Sequence, residues 1–499
     1  MIKRNTVRQT APFSMAILLL WSAQVGKGSD FSDPRDTHYT LKRAIAVALE
    51  HSPALQEAQL SLRIANGQVR EAWSNVLPRL STKASYSRSV IKQSFFFGDT
   101  LITIGADNLW GVGVTLSQPL FNMGAFIGLG AASRVRQLQT ELLRGTTQQV
   151  ISRVRQAYLT ALLSTEEVQL TEKSLQRVRL SLEESRALNR SGMVGDYDVL
   201  RLEVQVSNLE SDYHRARMDA ATARRNLLVE LGLSPKLDIT LEGSLNDLDL
   251  QVAARNTPGN RVLLRHVGLS DGDPLQFQQV YEQALQDRSD LRQINISIAL
   301  EEARLSAQRA EYFPTLSIFY NYNLTAQENG TLDFFGENPN QRTDFAVAGI
   351  NVEVPLFTGF ARNARMQQLR ATVRRSEFRR QRQELEVESQ LLTLLSNLAD
   401  ARLRAESHHR AVEQAGRGYE IATAHYRTGI GSQLQITDAE VALRQSEFNY
   451  SRTVFDYLTV RTRLEAAIGA VPVSVDELEG EGQYTYHDSS TQIRELVHR

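Results

Sequence analysis

Apolar residues recur at alternating steps of four and three over two long stretches of the chain. One stretch runs from Val150 to Leu182, and the other runs from Val387 to Tyr426. A sustained period of 3.5 residues is typical of coiled-coil packing. Many positions of both seams are Ala, Ser or Thr, whose small side chains let helices approach closely. The pattern therefore predicts long helices that pack side by side.

Glycine interrupts each heptad pattern, which then resumes. The interruptions are "RSGMVG", with Gly192, and "RTGIGS", with Gly429. Glycine accepts positive φ, which the turn after a helix often requires. We therefore predict two helical hairpins whose outgoing arms, about 70 residues each, are on the order of 100 Å long. The predicted hairpins are 120–232 with a tip at 191–196, and 356–469 with a tip at 428–433.

The apolar period changes from 3.5 to 2 before each hairpin. This alternation predicts β-strands with one apolar and one polar face. The predicted strands are 80–88, 110–117, 316–324 and 345–354. Strands of this length suit a transmembrane β-barrel, but such barrels begin at eight strands, so several chains would have to share one. The alternative is a soluble sheet of two β-hairpins, half-buried on helices.

The segments that join the strands of each pair, near 89–109 and 325–344, are long and mostly polar. We expect them on the extracellular side of the membrane. The overall prediction is an α+β fold, with four strands per chain and long helical hairpins in tandem repeat.

The chain is duplicated at an offset of 236 to 237 residues. "ALEHSPALQ" aligns with "ALQDRSDLR", and "QPLFNMG" aligns with "VPLFTG", which places Pro119 opposite Pro355. We predict that each proline marks a transition from strand to helix. The predicted organisation is a first repeat 29–232, a linker 233–275, a second repeat 276–469 and a C-terminal tail 470–499.

The N-terminus has the order of regions of a secretory signal peptide. Lys3, Arg4 and Arg8 precede the apolar run "APFSMAILLLW", and the small residues of "SAQVGKGS" follow. We assign 1–28 to this signal, the alternative being a disordered apolar N-terminus. The run is shorter than the roughly 20 residues that a transmembrane helix needs.

Composition and motif spacing point away from several classes of function. The chain has no cysteine and a net charge of −1, which gives no support for a nucleic-acid partner. No two of the nine histidines are spaced i, i+3 or i, i+4, so a helical metal site is not expected. Gly429-x-Gly431 lacks the Lys-Ser/Thr of a phosphate loop. We predict no enzyme activity, no metal and no cofactor.

Taken in order, these motifs resemble the TolC family of outer-membrane efflux and secretion channels. The resemblance covers about 40–470 and rests on "SPALQ", "ANGQVREAWSNVLPRLS", "LSQPLFNMG", "VPLFTG", "NRSGMVGDYDVL" and "YRTGIGSQLQITDAE". It implies a homotrimer whose twelve-stranded β-barrel sits in outer-membrane lipid and continues as an α-barrel through the periplasm. It also implies a periplasmic adaptor (membrane fusion) protein and an inner-membrane transporter, driven by protons or of the ATP-binding cassette type.

The resemblance also implies functional residues at the narrow end of the tunnel. Asp198, Tyr426 and Asp438 would line the aperture, with a hydrogen bond from Tyr426 to Asp198. The chain departs from the family pattern at Gly431 and Gln435, where a lock arginine and a second ring aspartate would stand. The alternative is that Asp198 and Asp438 are ordinary surface acids.

The turn residues at the two tips would face the adaptor, although they also serve simple turn chemistry. These residues are Ser191, Gly192, Met193, Val194, Thr428, Gly429 and Ile430. The predicted function is an outer-membrane exit duct that extends into the periplasm of a Gram-negative cell. It would serve a tripartite efflux pump or a type I secretion system, and pass small molecules or polypeptides without catalysis. The alternative is a secreted coiled-coil scaffold in the periplasm or at the cell surface, without a pore.

Overall fold

The same order of helices and long strands, helix-helix-strand-strand-helix-helix, occurs twice along the chain. The computed structural model describes residues 38–245, 277–329 and 342–470, all within one unit, Thr37–Arg499. The predicted signal peptide, most of the predicted linker and the tail after Ala470 lie outside the described residues.

The described elements are numbered here in chain order. The first copy contains β1 His38–Tyr39, α1 Leu41–His51, α2 Pro53–Ser74, β2 Arg79–Arg88, β3 Gln93–Phe97, β4 Thr100–Ile104, β5 Asn108–Phe121, α3 Met123–Arg190, α4 Asp196–Glu230 and β6 Thr240–Leu241. The second copy contains α5 Phe277–Asp287, α6 Ser289–Ala310, β7 Thr315–Glu328, β8 Arg342–Glu353, α7 Ala361–Arg427 and α8 Gln433–Ile468.

The two longest described helices are α3 with 68 residues and α7 with 67, and the other helices of the helical region pack along them. Asn122 caps α3, because its side-chain oxygen accepts a hydrogen bond from the Ala125 N–H at 3.1 Å. The returning helices α4 and α8 have only 35 and 36 residues, so each covers about half of its partner. The other halves of α3 and α7 pack against α2 and α6, which have 22 residues each.

The heptad seams lie where the long helices contact their neighbours. None of the seam positions predicted from Val150 to Leu182 or from Val387 to Tyr426 is classed as exposed. Near the first tip, for example, Leu175 and Val178 of α3 pack with Leu202 of α4. The apolar period therefore marks the helix interfaces of the fold, as coiled-coil packing requires.

The long strands form one antiparallel sheet in the order β2-β5-β7-β8. The register places Leu80 opposite Leu116, Leu116 opposite Tyr320, and Tyr320 opposite Ala348. Directly opposed residues share a face, so the apolar positions of all four strands form one continuous apolar face. Leu80 and Ile350 on this face are 72% and 65% exposed. The alternative of a sheet half-buried on helices is therefore wrong.

The segment predicted as a polar loop, 89–109, contains a second small sheet instead. β3 and β4 pair from Gln93 opposite Ile104 to Phe97 opposite Thr100. Gly98 has φ 64 at the first position of the two-residue turn, which suits a tight β-hairpin. The prediction of a polar loop was wrong because the apolar residues of "SFFFGDTLITI" support strand pairing around that turn.

None of the helices within 38–245, 277–329 and 342–470 combines the length with the apolar content needed to cross a bilayer.

Candidate functional site

The tips of the two helical hairpins have matching backbone turns. Gly192 follows α3 with φ 78, and Gly429 follows α7 with φ 79. The residue after each glycine donates its N–H to the carbonyl five positions earlier, at 3.0 Å in both copies. A Cβ at either glycine would meet no atom within 4 Å. These glycines are therefore needed for their backbone conformation rather than for space.

Gly431, the second glycine of "RTGIGS" in the second tip, has a different role. A Cβ there would lie 3.0 Å from the His425 Cβ and 3.1 Å from the Tyr426 backbone nitrogen. The lack of a side chain lets the start of α8 pass close to the end of α7. Ser432 and Gln435 then begin α8 with a capping box.

Large apolar side chains are exposed at both tips. Met193 is 73% exposed, Ile430 is 80% exposed, and Tyr197 at the start of α4 is 74% exposed. Of the seven predicted tip residues, Val194 is half-buried and the other six are exposed. The structure therefore places the predicted tip residues on an accessible, partly apolar surface.

The three predicted aperture residues occupy different environments. Asp438 is exposed on α8, and Asp198 is half-buried in the first turn of α4. Tyr426 is 7% exposed, and its hydroxyl has no hydrogen-bond partner within the described ranges. The predicted bond from Tyr426 to Asp198 is therefore absent from this structure. Tyr426 occupies a seam position, so its ring is buried at a helix interface.

A buried ionic cluster joins the two hairpins instead. Arg177 of α3 lies 3.2 Å from Glu440 and 3.3 Å from Glu447, both on α8. The Ser174 hydroxyl donates a hydrogen bond to Glu440 at 2.6 Å. Glu440 is only 2% exposed, and its contacts with Ser174 and Arg177 offset part of the cost of burying a carboxylate. Arg177 also lies over the Tyr419 ring, 5.9 Å from its centroid.

A second, exposed ion pair connects the hairpins closer to the tips, where Arg427 Nη2 lies 2.8 Å from Glu184 Oε1. Sequence reasoning missed both sets of residues. A signal was present, since Glu440 and Glu447 are seven residues apart and directly follow two seam positions. Charges that flank a coiled-coil seam commonly form interhelical pairs, but the heptad alone does not identify their partners.

The strand-to-helix transitions differ between the two copies. Pro119 lies within β5, opposite Ser317, and the register shifts between Pro119 and Phe121. Pro355 instead follows the end of β8, and its carbonyl accepts a hydrogen bond from Arg362 at 2.7 Å. The predicted transition therefore falls a few residues after Pro119.

Within the described part of the chain, no group of three or more histidine or acidic side chains is placed to hold a metal ion.

Comparisons with known proteins connect this architecture to a family. The model of the family "Outer membrane efflux protein" matches residues 44–233 and 280–470. The chain is 22% identical to the alkaline protease secretion protein AprF of Pseudomonas aeruginosa over 428 residues, which cover 85% of this chain and 83% of AprF. It is 23% identical to the cation efflux system protein CusC of Escherichia coli over 430 residues, which cover 83% and 84%.

A similar fold occurs in the outer-membrane channel OprN. The TM-score is 0.69 at 18% identity, and the match covers 88% of this chain and 91% of OprN. The family match includes both halves of the duplication and more than half of the chain. The protein therefore belongs to the outer membrane efflux protein family.

Proposed function

We propose that the chain is the exit duct of a tripartite efflux pump or a type I secretion system. Three copies would form a passive channel from the periplasm to the cell exterior, with no catalytic step. AprF is described as a secretion protein and CusC as part of a cation efflux system, so polypeptides and small molecules are both candidate cargoes.

The sheet carries this proposal. Its apolar face is continuous across four strands and exposed in the single chain. In the strand order of the described residues, β2 and β8 are the two edges. An open sheet edge is not tolerated in lipid, because its N–H and C=O groups have no partners there. Pairing of β8 with β2 of the next copy would give a closed sheet of twelve strands.

The helical hairpins would carry the duct through the periplasm. The exposed tip residues, including Met193 and Ile430, would contact a periplasmic adaptor. Asp438, with Asp198 and Tyr426 nearby in the tip region, would surround the narrow end. Three copies of an exposed carboxylate around one axis would favour cations. An inner-membrane transporter, driven by protons or ATP, would supply the energy for transport.

Single-channel conductance in a planar bilayer tests this function. Detergent-extracted wild-type protein should give stable current steps. Asp438→Asn should reduce the preference for cations over anions, because it removes the charge proposed to line the aperture. Asp400→Asn is the matched control, since Asp400 is 63% exposed on α7, well before the tip.

The conductance results distinguish a channel from a scaffold and test the aperture assignment separately. Current steps that Asp438→Asn leaves unchanged would retain the channel and reject the aperture assignment. Absence of steps from a folded protein, even with Arg427→Ala to remove the ion pair that joins the hairpins near the tips, would favour a scaffold without a pore.

A further inference from the structure

The β3–β4 hairpin displays apolar side chains that nothing in the described chain covers. All ten residues of its two strands are exposed. Phe96 and Phe97 are 78% and 81% exposed, and Leu101 is 55% exposed. The only charged residue from Gln93 to Ile104 is Asp99, in the turn. An apolar surface of this kind indicates an interaction site.

The two faces of this hairpin differ in chemistry. The first, here called the Phe95 face, carries Gln93, Phe95, Phe97, Thr100, Ile102 and Ile104. The second, here called the Ser94 face, carries Ser94, Phe96, Leu101 and Thr103. On the Ser94 face, the Ser94 and Thr103 hydroxyls lie 2.9 Å apart and hydrogen-bond to each other. Large apolar side chains therefore dominate the Phe95 face, whereas the Ser94 face is mixed.

Polar contacts anchor the hairpin at the end of the four-stranded sheet. Lys92 Nζ lies 2.9 Å from the Asp107 carboxylate and donates to the Asn329 side-chain oxygen at 3.0 Å. The Asp107 N–H donates to the same oxygen at 2.9 Å. The hairpin therefore has a charged, hydrogen-bonded base and an apolar body.

Aromatic side chains lie at the same end of the sheet. The Tyr86 and Trp110 rings on the apolar face are 5.3 Å apart between centroids, and the Tyr86 hydroxyl donates to Asn108 at 2.9 Å. Amphipathic aromatic side chains at the end of an apolar face are typical of the boundary between membrane and water. The base of the hairpin therefore lies at the level where lipid headgroups would begin.

We propose that the Phe95 face is a lipid-binding surface that inserts into the outer leaflet at its headgroup boundary. The proposal rests on the membrane position proposed for the sheet. Lipid is the occupant that fits best, because the strands offer no charged group to a protein partner and the apolar surface adjoins the aromatic end of the sheet. The hydroxyls of the Ser94 face then point towards headgroups and water.

Spin labels can test this inference cleanly, because the natural chain has no cysteine. Single variants Phe95→Cys and Ile102→Cys label the Phe95 face, and Ser94→Cys and Thr103→Cys are matched controls on the other face. The full-length labelled protein is placed in vesicles of phosphatidylcholine and phosphatidylglycerol. Collision rates are then measured with oxygen, which concentrates in lipid, and with a water-soluble nickel chelate. Ile350→Cys on the sheet serves as the reference for lipid exposure.

We expect the oxygen-to-nickel ratio at Phe95 and Ile102 to shift towards the value at Ile350, with lower ratios at Ser94 and Thr103. High nickel collision at all four hairpin positions would overturn the proposal, since the hairpin would then lie in water. Low collision with both reagents, with labels of neighbouring copies close to one another, would also overturn it in favour of packing between copies. A nickel-accessible Ile350 would instead contradict the proposed membrane position of the sheet.

Discussion

Arg177 joins the two hairpins through side chains that are largely withdrawn from water. Replacing it by Ala should leave the buried Glu440 carboxylate without its cationic partner. Removing one member of a buried ion pair costs roughly 3 kcal/mol. We expect Arg177→Ala to reduce the local opening free energy of α8 near residues 436–447 by about this amount. Hydrogen exchange of the backbone amides would measure it.

Arg179 provides the matched control for this prediction. It lies two residues further along α3 and pairs with Glu210 at 2.7 Å, but both side chains are about half exposed. Exposed pairs contribute about 1 kcal/mol or less. Arg179→Ala should therefore change exchange only slightly. Equal effects of the two variants would show that the Arg177 cluster adds no more than a surface pair.

Tyr426 illustrates which properties of a single residue can be predicted. Its burial follows from its place in the heptad seam. The partner of its hydroxyl does not follow, because a hydrogen bond depends on side-chain positions from separate helices, to within tenths of an ångström. The family resemblance implied the bond to Asp198, and the ring is instead packed with its hydroxyl unpaired within the described ranges.

The turn that ends each long helix requires a glycine with positive φ, and substitution can test this requirement. Gly429→Ala would place a Cβ on a residue with φ 79, and this conformation costs an L-residue roughly 1–2 kcal/mol. Gly418 lies within α7, also with no atom within 4 Å of a Cβ, so Gly418→Ala should stabilise by up to about 1 kcal/mol. Opposite shifts of the thermal unfolding midpoint are expected. Shifts of the same sign would contradict the positive-φ explanation.

The Asp290 carboxylate stabilises the start of α6, so this stabilisation depends on pH. Asp290 accepts hydrogen bonds from Arg288 at 3.0 and 2.7 Å and from Gln383 of α7 at 3.2 Å. Burial opposes ionisation of the Asp290 carboxyl, but the bonds and charge of Arg288 outweigh it and lower its pKa. Its stabilising contribution is therefore present above the unfolded-state pKa, and is lost as the pH falls through the lower folded-state pKa.

Asp290→Asn should consequently weaken the loss of thermal stability between about pH 5 and pH 3, where an ordinary aspartate with a pKa of about 3.9 begins to protonate. At pH 7 the variant should be less stable than wild type. Thermal unfolding monitored by circular dichroism at pH 7, pH 5 and pH 3 measures the difference, with exposed Asp400→Asn as the control. An unchanged pH profile would show that Asp290 does not contribute.

The β3–β4 hairpin shows where element prediction failed. The strand signal of the four long strands came from alternation, which a sheet with one apolar face requires. In β3, three consecutive phenylalanines hide any alternation, so pattern alone did not distinguish this segment from a loop. Pairing with β4 across the Gly98 turn is what makes it a strand.

At the level of the assembly, the edges of the sheet provide a direct test. If β8 pairs with β2 of the next copy, Ala84→Cys combined in turn with Ala346→Cys, Ala348→Cys or Ile350→Cys should form an intermolecular disulfide in at least one combination. Cysteines with Cβ atoms about 4 Å apart can bond. Oxidised samples should then show cross-linked dimers and trimers on non-reducing gels.

Ala84→Cys with Val347→Cys is the control, because Val347 lies on the opposite face of β8 and its side chain points away from that of Ala84. Cross-linking there, or none in the three test combinations, would be inconsistent with the proposed pairing of the sheet edges.

The amino-acid sequence alone determined the local and repeating properties of the chain. The heptads define the long helices, the glycines define their tips, and the alternation defines the four long strands, because these features depend on neighbouring residues and on burial of one face. The duplication and the family followed from the order of the same motifs.

Contacts between distant segments required the folded chain. Residues 263 positions apart meet in the Arg177–Glu440 pair, and β5 lies beside β7 across some 200 residues of sequence. The Tyr426 hydroxyl, unpaired within the described ranges, and the apolar β3–β4 hairpin likewise depend on which elements pack together. The period of apolar residues specifies which face of an element is buried. Which other element packs against that face depends on the relative stability of all the possible pairings in the folded chain.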